Sequence, residues 1–141
     1  MVVLVLVAHS PVLLDGLAAM IAQTAPAVRA WRAGGTSGGA LGTSAPAVEA
    51  AFRAALAADA GSGVLCLLDL GSAALALELA LEALEPAERA RVAVTEAPLV
   101  EGAILAAVEA ASGATLTAVR ARAEAARDEP KLPADFGRGA G

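Results

Sequence analysis

Along the chain, apolar positions gather into short runs separated by stretches of mixed polarity. Three runs lack regular alternation: VVLVLV at 2–7, GVLCLLDL at 63–70 and ARVAVTEAP at 90–98. Such runs predict strands covered on both faces, as in a parallel sheet. A weaker fourth, AVRAWRA at 27–33, alternates Val28, Ala30 and Arg32 with Arg29, Trp31 and Ala33.

Helical stretches lie between and after the runs. Ser10 and Pro11 form a cap and a first helical position for a helix reaching about Thr24. Thr43 and Ser44 are candidate caps for a second, with Pro46 early in it, ending near Asp59. From Ser72 to Leu84 the pattern is ambiguous, because Leu75, Leu77, Leu79 and Leu81 alternate as in a strand. Ala, Leu and Glu favour helix, and Glu78, Glu82 and Glu85 fall on one helical face, so this stretch is read as a helix. Two more span about 100–111 and 115–128.

Strands alternating with helices predict an α/β fold: an open, mainly parallel sheet of about four strands, right-handed crossovers, and helices on both faces. The expected organisation is one domain over 1–127 and a disordered tail over 128–141. The long irregular segment AGGTSGGALGTSA at 33–45 is too glycine-rich for helix or strand, and a loop of that length is usually functional or mobile.

Composition narrows the class. The chain is 57% hydrophobic with 2% aromatics, so Leu, Val, Ile and Ala must fill the core. A net charge of −5 and a single lysine, Lys131, argue against nucleic-acid binding, which needs clustered cations. Arg120, Arg122 and Arg127 alternate with Glu124 and Asp128 and read as a solvated helix face. Cys66, the lone cysteine, lies inside an apolar run and reads as core. The N-terminal run is too short to cross a bilayer and follows no basic segment, so the expectation is a cytoplasmic protein without membrane insertion.

Ligands of open α/β sheets bind outside the carboxyl ends of the strands. Three features converge there. His9, the only histidine, ends the first strand; the Gly/Ser/Thr loop follows the second; Asp69 ends the third, ahead of Gly71 and Ser72. A neutral imidazole can be a nucleophile near neutral pH, and a carboxylate on one ring nitrogen fixes the tautomer and frees the other. Backbone N–H groups at helix starts and in glycine loops can hold an anion. Together these describe a site for moving a phosphoryl group on and off histidine. Taken singly, His9 reads as a structural hydrogen-bonder, Asp69 as a turn residue and the glycine segment as a plain loop; their convergence is the argument.

Other site types lack their residues. The chain has no G-x-x-x-x-G-K-[ST], no G-x-G-x-x-G and no G-x-S-x-G, and one His and one Cys far apart make no metal cluster. No cofactor is expected.

Four segments, VVLVLVAHSP, LGTSAPAVEAAF, VLCLLDLGSAALALELALEAL and VTEAPLVEGAILAAVEAASGATL, resemble a known family. It is that of the phosphotransfer subunits of dihydroxyacetone kinases driven by the phosphoenolpyruvate phosphotransferase system, which have the mannose-type enzyme IIA fold. The resemblance covers about residues 1–127, and DLGSA and APLVEGA are its specific pieces. It implies a phosphotransferase with a phosphohistidine intermediate. His9 would receive the group from the phosphohistidine carrier protein, with Asp69 on Nδ1–H and Nε2 as nucleophile. Ser10, Thr43, Gly71 and Ser72 would line the phosphoryl pocket. The group would pass to ADP on a separate nucleotide-binding subunit, and the domain would be a homodimer. Some relatives carry the carrier domain on the same chain; here it is expected to be a separate protein. The same histidine chemistry also fits an enzyme IIA component of a mannose- or fructose-type sugar transporter, and a non-catalytic α/β interaction module is the alternative of a different class.

Overall fold

The computed structural model describes residues 1–139. Four parallel strands form one sheet: β1 (Val3–Ala8), β2 (Ala30–Gly34), β3 (Val64–Leu68) and β4 (Val92–Thr95). The helices are α1 (Pro11–Thr24), α2 (Ala45–Ala58), α3 (Ala74–Glu82), α4 (Pro86–Arg89), α5 (Leu99–Ala111) and α6 (Leu116–Ala125). A 3-10 turn, Gly71–Ala73, leads into α3, and another, Ala126–Asp128, follows α6. This is the α/β architecture expected from the sequence.

The strand order is β2-β1-β3-β4. The chain first steps from β1 to one edge, then crosses back over β1 to β3 and on to β4. Right-handed crossovers running in opposite directions must put their helices on opposite faces. They do. Leu14, Leu17 and Ile21 of α1 share one core cluster with Ala103 and Ala107 of α5 and Val119 of α6. Val48, Phe52 and Ala55 of α2 and Ala76 and Leu77 of α3 share the other.

β1 explains the run without alternation. Leu4 and Leu6 face one cluster, Val3, Val5 and Val7 the other, and every residue of the strand is buried. β2 is an edge strand and only Ala33 of it is buried, with Ala30 packed against one cluster and Trp31 and Ala33 on the other.

The four leucines that alternate in sequence lie on a helix after all. Leu77 is buried, whereas Leu75 and Leu79 are exposed. The segment 33–45 gives Ala33 and Gly34 to β2 and Ala45 to α2, leaving a loop of turns between them. Past α6, the chain folds back along α5 as far as an ion pair between Lys131 and Glu101. The end of the expected tail, residues 140–141, lies outside the described residues.

Candidate functional site

The strand order decides where two halves of the chain meet. β1 and β3 are neighbours, yet their following helices leave to opposite faces, which makes the gap between their carboxyl ends the switch point of the sheet. In the β1–β3 register Val7 is opposite Leu68, so His9 and Asp69 emerge side by side just beyond the last pairing. The Asp69 N–H donates to the Val7 carbonyl at 3.1 Å and extends the ladder to the site itself.

Asp69 binds His9 twice. The His9 backbone N–H donates to Oδ2 at 2.9 Å, and ring Nδ1 lies 3.0 Å from Oδ1 and 3.1 Å from Oδ2. The Leu70 N–H donates to Oδ1 at 2.8 Å. Burial alone would raise the carboxyl's pKa, but the His9 backbone N–H, the His9 ring and the Leu70 N–H outweigh it and hold it below the ordinary carboxylate range. Asp69 is therefore an anion at neutral pH and can only accept hydrogen bonds. The ring proton belongs on Nδ1, and the Nε2 lone pair faces away from the carboxylate. There the Ser72 hydroxyl donates to Nε2 at 3.0 Å. The side chains of His9 and Asp69 are 25% and 13% exposed, so the ring is partly open to solvent while the carboxylate is more sheltered.

The neighbouring elements follow from the parallel topology, in which each helix begins where its strand ends. α1 starts two residues after His9, α2 starts at Ala45, and the 3-10 turn into α3 starts at Gly71, so the positive ends of three helical segments gather at this rim. Ser10 caps α1, its Oγ accepting from the Leu13 N–H at 3.3 Å. Of the two candidate caps of α2, Ser44 is the one used, through the Ala47 N–H at 3.3 Å. Thr43 precedes it, half-buried, with its hydroxyl unpartnered among the described residues. The Gly42 N–H donates to the His9 carbonyl at 3.0 Å, which draws the glycine loop onto the site. Gly42 has φ +144°, a value that favours glycine. Gly71 is exposed, with open space where a Cβ would be. The sequence-predicted residues thus lie along one rim: His9, Asp69 and Ser72 in direct contact, Ser10 and Gly71 adjacent in the chain to members of that trio, and Thr43 beside the loop contact.

The fold also brings in two residues that sequence reasoning missed. A cleft of about 310 Å³ opens beside Asp69, lined by Leu70, Gly71, Glu96, Ala97 and Arg127 among others. Glu96 lies just past β4, where the rule on strand ends could have found it. Arg127 follows α6, far from any strand end, and nothing local in the sequence signals its placement. Among the described residues, no group of three or more His, Cys, Asp and Glu side chains is arranged to hold a metal ion, and no helix is long and apolar enough to cross a membrane.

Comparison with known proteins supplies the kinship. Residues 3–120 match the family described as the PTS system fructose IIA component. The chain is 43% identical over 97 residues to the phosphoryl donor subunit DhaM of a phosphoenolpyruvate-dependent dihydroxyacetone kinase from Escherichia coli (strain K12), covering 66% of this chain and 20% of that protein. The corresponding subunit of dihydroxyacetone kinase 2 of Listeria innocua serovar 6a is 36% identical over 110 residues, or 77% of this chain and 86% of the relative. The chain therefore spans a fifth of the first relative and most of the second. A crystal structure of a protein of unknown function, EF1359, superposes with a TM-score of 0.75 at 35% identity, covering 87% of this chain and 92% of that one. With the family match running through both His9 and Asp69, the chain belongs to the mannose-type enzyme IIA family, the PTS fructose IIA components, in the group that includes the DhaM subunits.

Proposed function

We propose that this protein is a phosphoryl relay of dihydroxyacetone kinase. His9 accepts a phosphoryl group from the phosphohistidine carrier protein and passes it to ADP bound on a separate nucleotide-binding subunit, within the cytoplasm and as a homodimer. The observation that carries the reading is the pair of contacts on one ring: Nδ1 against the Asp69 carboxylate, Nε2 bare except for a serine hydroxyl.

In uptake, the Nε2 electron pair attacks phosphorus, the bond to the donor's histidine breaks, and that pair returns to the donor ring. The His9 ring keeps its Nδ1 proton and gains positive charge, which Asp69 offsets, as the acid does in a catalytic triad. The Ser72 hydroxyl, released from Nε2, turns its proton to a phosphoryl oxygen. In this reading Ser10, Thr43 and the Gly71 N–H complete the shell. Little more is required, because phosphoryl transfer depends on alignment and charge stabilisation. The names of the relatives support the kinase pathway.

The test is incubation with phosphorylated carrier. Wild type gains an acid-labile, alkali-stable phosphate, and His9→Ala gains none. A His9→Ala variant that labels as fully as wild type overturns the reading. The family's description as a fructose component favours a second reading, a sugar-transporter enzyme IIA. Discharge of the labelled protein to a transporter subunit and not to nucleotide-binding subunit plus ADP would select it.

A further inference from the structure

We propose that Arg127 determines acceptor specificity: it receives the phosphate groups of an acceptor that is itself a polyanion, a nucleoside diphosphate, in the cleft beside Asp69, the partner of His9. The inference deepens the relay reading and rests on it. Arg127 is the only cation among the residues lining the cleft, whose other charged members are Asp69 and Glu96. It is exposed and has no ion-pair partner among the described residues, whereas Arg120 is paired with Glu124 and Arg122 with Glu129. Its field reaches Glu124, but that carboxylate is already held by Arg120 and by the Thr95 hydroxyl. The cleft shares Asp69 and Gly71 with the surroundings of His9, and Ser72, next to Gly71, touches Nε2.

The two half-reactions differ in charge. In uptake the phosphoryl group leaves a histidine whose ring departs neutral, so no second anion need enter. In discharge to a diphosphate, the P–Nε2 bond breaks, its electron pair returns to Nε2, and a terminal phosphate oxygen forms the new P–O bond. That brings two multiply charged phosphates together beside two carboxylates. A guanidinium on the approach side answers this repulsion and can bind phosphate oxygens through two parallel N–H groups. An acceptor that carries no phosphate of its own would not need it.

The experiment measures uptake from labelled carrier and discharge to the ADP-loaded nucleotide-binding subunit separately, for wild type, Arg127→Ala and Arg127→Lys. Arg127→Ala is expected to lose about tenfold more in discharge than in uptake, with Arg127→Lys recovering part of it and higher salt narrowing the gap. Efficient uptake by the variant also shows that it is folded. Equal losses in both steps, or undiminished discharge by Arg127→Ala, overturn the proposal while leaving the relay intact. If wild type takes no phosphate on His9, the relay reading itself fails.

Discussion

Asp69 uses one carboxylate to hold both the backbone and the ring of His9, so orientation and charge compensation come from the same group. Asp69→Ala is expected to slow phosphoryl uptake about 10²-fold or more, read by rapid quench with labelled carrier. Ser72→Ala removes a neutral hydrogen bond and should cost roughly two- to tenfold in the same assay. A loss from Ser72→Ala as large as that from Asp69→Ala would mean the serine does more than donate one proton. At this scale the sequence was readable wherever a residue's neighbours in the chain set its position, as with His9, Asp69 and Ser72 at or just past strand ends. Arg127 was not. Arg127 is solvent-exposed, as its alternation with Glu124 and Asp128 suggests, but nothing in that pattern shows that the 3-10 turn Ala126–Asp128 also sets it at the edge of the cleft.

Elements were set by patterns strong enough to survive tertiary context. Pro11 with Ser10, and Pro46 with Ser44, mark the starts of α1 and α2 to within a residue. The short helix α4 went unread, although its signal is local: Pro86 at the start and Glu88 closing a capping box with Glu85. Close approach decides another feature. A Cβ on Gly102 in α5 would stand 2.8 Å from Ala97 Cβ and 3.3 Å from Leu67 Cδ2, so the bare glycine lets α5 settle onto β3. Gly102→Ala is expected to destabilise by about 1–3 kcal/mol, measured by denaturant unfolding, because the methyl group overpacks a tight contact. Asp59 closes the turn before β3, its Oδ1 accepting from the Gly61, Ser62 and Gly63 N–H groups while Arg91 donates to Oδ2. No sequence signal marked this cluster, because its second half, Arg91, comes from the residue just before β4.

For the whole molecule, the two sheltered carboxylates link stability to pH. Burial would raise the pKa of Asp59, but the Arg91 guanidinium and the three turn N–H groups hold it below the ordinary range, as the contacts of Asp69 do for that residue. A carboxyl with a lowered folded pKa stabilises above its unfolded value of about 3.9 and loses that contribution as pH falls through the folded value. The thermal unfolding midpoint should therefore drop below about pH 4, and Asp59→Asn, though less stable at neutral pH, should show a shallower acid slope. An unchanged slope would mean that Asp59 titrates alike in both states.

By itself the sequence determined the elements apart from α4, the buried strands and the residue types at each strand end, since these follow from local periodicity, caps and turns. Only the tertiary structure decided that β1 and β3 are neighbours, that the site lies at their switch point, and that Glu96 and Arg127 join it. Strand order is a property of long-range packing: apolar runs of similar length and hydrophobicity carry no local mark of which one lies beside which.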